Sequence, residues 1–146
     1  MTSPIVRIRP VDGSDIEIAE QIHAMHMACF SYDIEQRSLD HGHWWVGYED
    51  DEPVCFAGLW PSKIWPDKAG YLVRAAVMPE WRGIGLQRRL VRVRERKARS
   101  LRMSFLVSDT CDNPPSSNNL ISCGFRMFEP PKRWAVDGSC YWRKDI

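Results

Sequence analysis

The order of apolar patterns along this chain predicts an α/β fold, with a mixed, mostly antiparallel sheet and flanking helices. Three observations carry that prediction. Runs of strand length recur along the chain, stretches with apolar residues at helical spacing fall between them, and the run 71–77 passes through a turn with two glycines into a helix-like segment opening at Leu86. The last feature supplies a crossover, which two parallel strands inside an otherwise antiparallel sheet require. With 146 residues, 44% of them hydrophobic, the chain can bury one core, and a single domain over residues 1–146 is expected.

Residues 5–9 alternate apolar and charged side chains, the pattern of a half-buried strand. Ser14-Asp15-Ile16-Glu17 has the form of a capping box, and Ile18, Ile22, Met25 and Cys29 then share one stripe, so a helix is expected to about Phe30. A second short helix is expected over 33–41. Residues 43–48 and 53–60 read as strands joined by the acidic turn Glu49-Asp50-Asp51-Glu52, a hairpin. Residues 61–68 form a loop and 70–77 a third apolar run. Leu86, Leu90 and Val93 give the following helix its buried stripe. Residues 102–108 read as a strand, 116–123 as a short helix ended by Gly124, and 125–128 and 139–143 as two last strands. The order is β-α-(α)-β-β-β-α-β-α-β-β.

Composition narrows the function. A formal charge of +1 exerts no global pull towards nucleic acid or membrane. No apolar run is long enough to span a bilayer and residues 2–7 lack the apolar core of a signal peptide, so no membrane partner and a cytoplasmic location are expected. Five scattered cysteines, Cys29, Cys55, Cys111, Cys123 and Cys140, include no C-x-x-C pair and read as reduced thiols. His41 and His43 have no cysteine or carboxylate at ligand-like spacing beside them, and no metal is expected. The basic run from Arg88 to Arg102 surrounds the stripe of its helix on nearly all sides, which suits a solvated face better than a nucleic-acid surface.

Chemistry concentrates at Arg82-Gly83-Ile84-Gly85-Leu86-Gln87. Glycine tolerates positive φ and carries no Cβ, so Gly83 and Gly85 let successive N–H groups converge on one anion at a helix N-terminus, and the loop reads as a cradle for a pyrophosphate. This segment resembles motif A of the GNAT superfamily of acetyl-CoA-dependent N-acetyltransferases, Q/R-x-x-G-x-G/A, with Gln87 in place of the third small residue. Asn113-Pro114-Pro115-Ser116, followed by a short helix and Gly124-Phe125, is similar to the same family's second cofactor-contacting segment. Both segments occur in the family's order, with one strand between them.

The resemblance implies a GNAT-like sheet whose two central strands splay apart, and a direct transfer of acetyl from acetyl-CoA, as co-substrate, to a small-molecule or peptide amine. It implies cofactor contacts at Ala75, Ala76, Val77, Arg82, Gly83, Ile84, Gly85, Leu86, Gln87, Arg88, Asn113, Ser116 and Asn118, with Arg89 a further candidate for the phosphates. Val77 N–H is the candidate oxyanion donor. The family's general-base glutamate corresponds to Tyr71 or to Ser108, and its general-acid tyrosine to Leu120. Tyr71 and Ser108 are therefore candidates to relay a proton through water, with Asp109, Cys111, Asp112 and Tyr141 as nearby substitutes. Without a motif-fixed base, amines of low pKa are the expected acceptors. Homodimer assembly is compatible with this family. Two rivals stand beside it: a GNAT-fold acyl-CoA-binding protein without turnover, and a nucleic-acid-binding module built on the arginine-rich helix.

Overall fold

The computed structural model describes residues 5–30 and 39–146. The described elements are β1 (Val6–Val11), α1 (Ile16–Cys29), β2 (His43–Glu49), β3 (Glu52–Pro61), β4 (Ala69–Val77), α2 (Leu86–Ser100), β5 (Phe105–Thr110), α3 (Pro114–Ser122), β6 (Arg126–Met127) and β7 (Cys140–Asp145). They follow the expected order. The helix expected over 33–41 lies for the most part outside the described residues.

The seven strands form one sheet in the order β1-β2-β3-β4-β5-β7-β6. The β1–β2, β2–β3, β5–β7 and β6–β7 pairs are antiparallel, whereas β4 and β5 run parallel through Ala69↔Phe105, Gly70↔Leu106 and Tyr71↔Val107. A parallel pair needs a crossover, and α2 is that crossover. Two compact units share the chain, one of Met1–Leu59 with Arg74–Leu90, the other of Trp60–Val73 with Val91–Ile146.

In the first unit β1 and β2 pair from Val6↔Glu49 to Val11↔Trp44. The core gathers Val6, Val54, Cys55, Ala57 and Val77 with Leu86 and Leu90 of α2. The cap of α1 differs from expectation by one residue. Asp15, not Ser14, is the N-cap, its carboxylate accepting from Glu17 N (2.9 Å) and Ile18 N (3.3 Å), while the Ser14 hydroxyl donates to Asp12 (2.6 Å). A carboxylate at this end also meets the positive pole of the helix.

In the second unit β5 is buried almost throughout, and its antiparallel ladder with β7 runs from Phe105↔Asp145 to Thr110↔Cys140. The buried positions of α2 here are Val91, Arg94, Glu95 and Ala98, whereas Val93 is half-buried, so the stripe is turned from the expected one. Arg94 is only 3% exposed and is the exception in an otherwise surface-lying arginine run. Burial lowers its pKa to about 9, with the Cys123 charge a smaller opposing effect. Glu95 is satisfied by Arg99 Nη2 (3.0 Å) and Lys144 Nζ (3.1 Å). Arg102, expected to open a strand, instead closes α2 at φ 62, with Met103 N donating to Ala98 O (3.0 Å) and Arg102 N to Arg99 O (3.0 Å). Gly124 (φ 95) ends α3 in the same manner, with Phe125 N donating to Leu120 O (3.0 Å). The closing strand expected over 125–128 is shortened to Arg126–Met127.

Candidate active site

In the first unit β4 gives way to the glycine loop through a defined turn. Met78 N donates to Val54 O (2.9 Å), Pro79–Trp81 form a single 3-10 turn, and half-buried Trp81 packs against the core. Arg82 then folds back on the strand end: its Nε donates to Val77 O (3.0 Å) and its Nη2 approaches Cys29 Sγ (3.9 Å). The Val77 carbonyl also accepts from the Cys29 thiol at 3.7 Å. Arg82 therefore ties the base of the loop to β4.

Gly83 (φ 84) and Gly85 (φ 87) lie in the region that L side chains avoid, and a Cβ added at either would meet nothing within 4 Å. The loop thus presents open backbone at the N-terminus of α2. The first N–H groups of a helix have no intrahelical acceptor, and the first turn of α2 carries no acidic residue. Ile84 and Arg88 are exposed, Gln87 is half-buried, and Leu86 turns into the core. Arg89, also a phosphate candidate, donates from Nη2 to Val6 O at 2.9 Å and is engaged in joining α2 to β1. Helix pole, open N–H groups and Arg88 together make a surface suited to an anion. Of the expected pantetheine contacts, Ala76 and Val77 are buried and Ala75 is half-buried against the same core.

The second unit holds the remaining candidates, and strand alternation sorts them. Tyr71 pairs with Val107, so it shares a face with Phe105, Val107 and Asp109, while Leu106, Ser108 and Thr110 point to the opposite face. On the first face the Tyr71 hydroxyl donates to Asp109 Oδ2 (2.6 Å), and Trp134 Nε1 donates to the same oxygen (2.9 Å). Tyr141 OH accepts from Ala135 N (3.1 Å), and its ring meets Trp134 edge-on with centroids 4.6 Å apart. Trp65, Phe105, Phe128 and Trp134 pack around the same region. On the opposite face Ser108 is 7% exposed, Trp142 Nε1 donates to Thr110 Oγ1 (2.9 Å), and Thr110 and Ser117 share a hydroxyl contact of 2.9 Å.

Asn113 is the N-cap of α3, accepting from Ser116 N at 3.2 Å, so its amide oxygen organises the helix start. Ser116 is half-buried and Asn118 exposed. Cys111 and Asp112 are exposed, and Leu120, at the place of the family's tyrosine, is 6% exposed in the core. Trp134 lies in the segment between β6 and β7. Its pairing with Asp109 carries no local signal, since the two lie 25 residues apart. Among the described residues no group of three or more His, Cys, Asp or Glu could hold a metal ion, and no helix is long and apolar enough to cross a membrane.

Residues 14–125 match the model of the acetyltransferase (GNAT) family. Three solved structures illustrate the likeness of fold. The ribosomal-protein-S18-alanine N-acetyltransferase from Escherichia coli matches with a TM-score of 0.77 at 13% identity, over 97% of this chain and 94% of that one. A Bacillus subtilis acetyltransferase in complex with CoA gives 0.73 at 18% identity, over 97% and 99%. The IAA acetyltransferase from Bacillus cereus ATCC 14579 gives 0.73 at 16% identity, over 97% and 100%. No curated protein sequence matches the chain. The family match spans most of the chain and contains the glycine loop and the β4–α2–β5 crossover: the chain belongs to the GNAT acetyltransferase family.

Proposed function

We propose that the chain is one catalytic domain transferring the acetyl group of acetyl-CoA directly to an amine. The observation that carries this reading is the loop between β4 and α2, where Gly83 and Gly85 leave open backbone at a helix start that has no acidic residue in its first turn. Those N–H groups and Arg88 would hold the pyrophosphate. Arg82 keeps the loop in shape through Val77 O. Asn113, Ser116 and Asn118 at the start of α3 would meet the rest of the cofactor. In the transfer the amine nitrogen bonds to the acetyl carbonyl carbon, the C–S bond breaks, and the sulfur leaves protonated as CoA. A backbone N–H aimed at the developing oxyanion, for which Val77 is the candidate, lowers the barrier without any special side chain.

Gly85→Glu tests the cradle by adding a Cβ and a negative charge. Calorimetry should show loss of acetyl-CoA binding with the circular dichroism unchanged, and retained affinity refutes the cradle. A second reading, an acyl-CoA-binding protein without turnover, is favoured by buried Leu120 at the place of the family's acid. Transfer of labelled acetyl to any amine in a broad screen decides between the two.

A further inference from the structure

Three carboxylates among the described residues are paired with Arg or Lys: Glu95 with Arg99 and Lys144, Glu129 with Arg133, Asp145 with Arg143. Asp109 is different. It is half-buried, it has no ion pair among the described residues, and both of its side-chain hydrogen bonds fall on Oδ2. The donors are a phenol and an indole, neutral groups that bring no counter-charge; the arginine that shares this face from β7, Arg143, lies over the Phe105 ring and pairs with Asp145. None of the described residues donates to Oδ1. Around it stand Tyr71, Trp134 and Tyr141, with Trp65 and Phe128 packed beside them. A negative charge amid aromatic rings is the chemistry that receives an organic ammonium, because the rings' faces attract a cation and the carboxylate accepts its N–H.

Resting on the acetyl-transfer reading above, we propose that Asp109 Oδ1 is the seat of the acceptor's ammonium, and that the acceptor is a primary alkylamine with an apolar or aromatic body. An alkylammonium of this kind titrates near pH 10.4, so at neutral pH it must lose a proton before it can attack. Asp109 takes that proton, giving the free amine and a carboxylic acid. The amine nitrogen then bonds to the acetyl carbon as the C–S bond breaks, its second proton passes to the CoA sulfur, and Asp109 returns the first proton to water. Tyr71 and Trp134 are positioning residues that hold Oδ2. This acceptor differs from the low-pKa amines expected from the absence of a carboxylate at the motif positions, and the two amines below distinguish them.

Asp109→Asn keeps an oxygen able to accept from Tyr71 and Trp134 while removing the charge. Two probes separate the effects: 2-phenylethylamine, a cation at pH 7, and aniline, neutral at that pH. Titrated with or without CoA, 2-phenylethylammonium should bind the wild-type protein and lose at least about tenfold in affinity in the variant. Its kcat/KM should fall about a hundredfold and that for aniline far less, with the acid limb of the pH profile changed and acetyl-CoA affinity preserved. Equal losses for both amines with an unshifted profile would reduce Asp109 to a structural tie and overturn the proposal, as would a wild-type protein that binds no 2-phenylethylammonium. A protein that receives the ammonium but binds no acetyl-CoA would sink the transfer reading alone.

Discussion

Tyr71 and Ser108 lie on opposite faces of the sheet, because Tyr71 is the partner of Val107 in the β4–β5 ladder and Ser108 is the next residue along β5. The two candidates for proton relay therefore have different surroundings. Tyr71 faces a carboxylate and a ring of aromatic side chains, whereas Ser108 shares its face with Thr110 and Trp142. Among the described residues, only the Tyr71 face thus offers a carboxylate, that of Asp109, within hydrogen-bond distance of the relay candidate.

Tyr71→Phe removes one of the two donors on Asp109 Oδ2 and keeps the ring. A hydrogen bond to a charged group contributes roughly 1.5–3 kcal/mol, so turnover of an alkylamine should fall about tenfold or more. Ser108→Ala should stay within about twofold, its loss being one buried hydroxyl on the face opposite the carboxylate. Steady-state kinetics on both variants reads this directly. The reverse order of effects would return proton transfer to the Ser108 face.

The neighbouring arginines of α2 divide the same way. Arg89 Nη2 is committed to Val6 O, while Arg88 is exposed in the first turn. Arg88→Ala should weaken CoA about tenfold and leave pantetheine, which lacks the pyrophosphate, unchanged in calorimetry. Arg89→Ala should instead cost about 1 kcal/mol in urea unfolding with CoA affinity preserved. Equal CoA affinity in Arg88→Ala and wild type would make Arg88 ordinary surface charge.

The glycine loop was readable in the sequence because its requirement is local: positive φ at Gly83 and Gly85 can be inferred from residue type alone. Strand and helix order followed from periodicity for the same reason. The Asp109 seat was not readable as a constellation, although Tyr71, Asp109 and Tyr141 were each named. Residues 71, 109 and 134 meet only through the register of β4 on β5 and the path of the segment before β7, which no local pattern encodes. Arg94 misled for a different reason. Counting apolar residues puts Val93 on the stripe, but the buried side of α2 runs through Val91 and Ala98, and an arginine falls between them. At α1 the S-x-x-E pattern pointed to Ser14, yet Ser14 is held by Asp12 and the carboxylate of Asp15 takes the cap.

Cys55 offers a pH test of the first unit that is independent of catalysis. Its thiol is 0% exposed, and it fits against β2 because Gly47 has no Cβ, which would otherwise collide with Sγ. Burial pushes the thiol up from 9.0 to about 11, opposed in part by a backbone hydrogen bond at Gly47 and by the charge of Arg89. The folded state thus holds its proton more tightly than the unfolded chain. Stability from this group is fully present below pH 9 and is lost as the pH rises through about 11. The loss amounts to at most about 2–3 kcal/mol. Cys55→Ala lacks the titration but leaves a small cavity, so it should be less stable than wild type at pH 8 by about 1–2 kcal/mol. Urea unfolding in reductant at pH 8, 9, 10 and 11 should show that gap closing as the wild-type thiol ionises on unfolding. A gap that stays constant to pH 11 would mean that the fold tolerates a thiolate at Cys55, against the burial that raises its pKa.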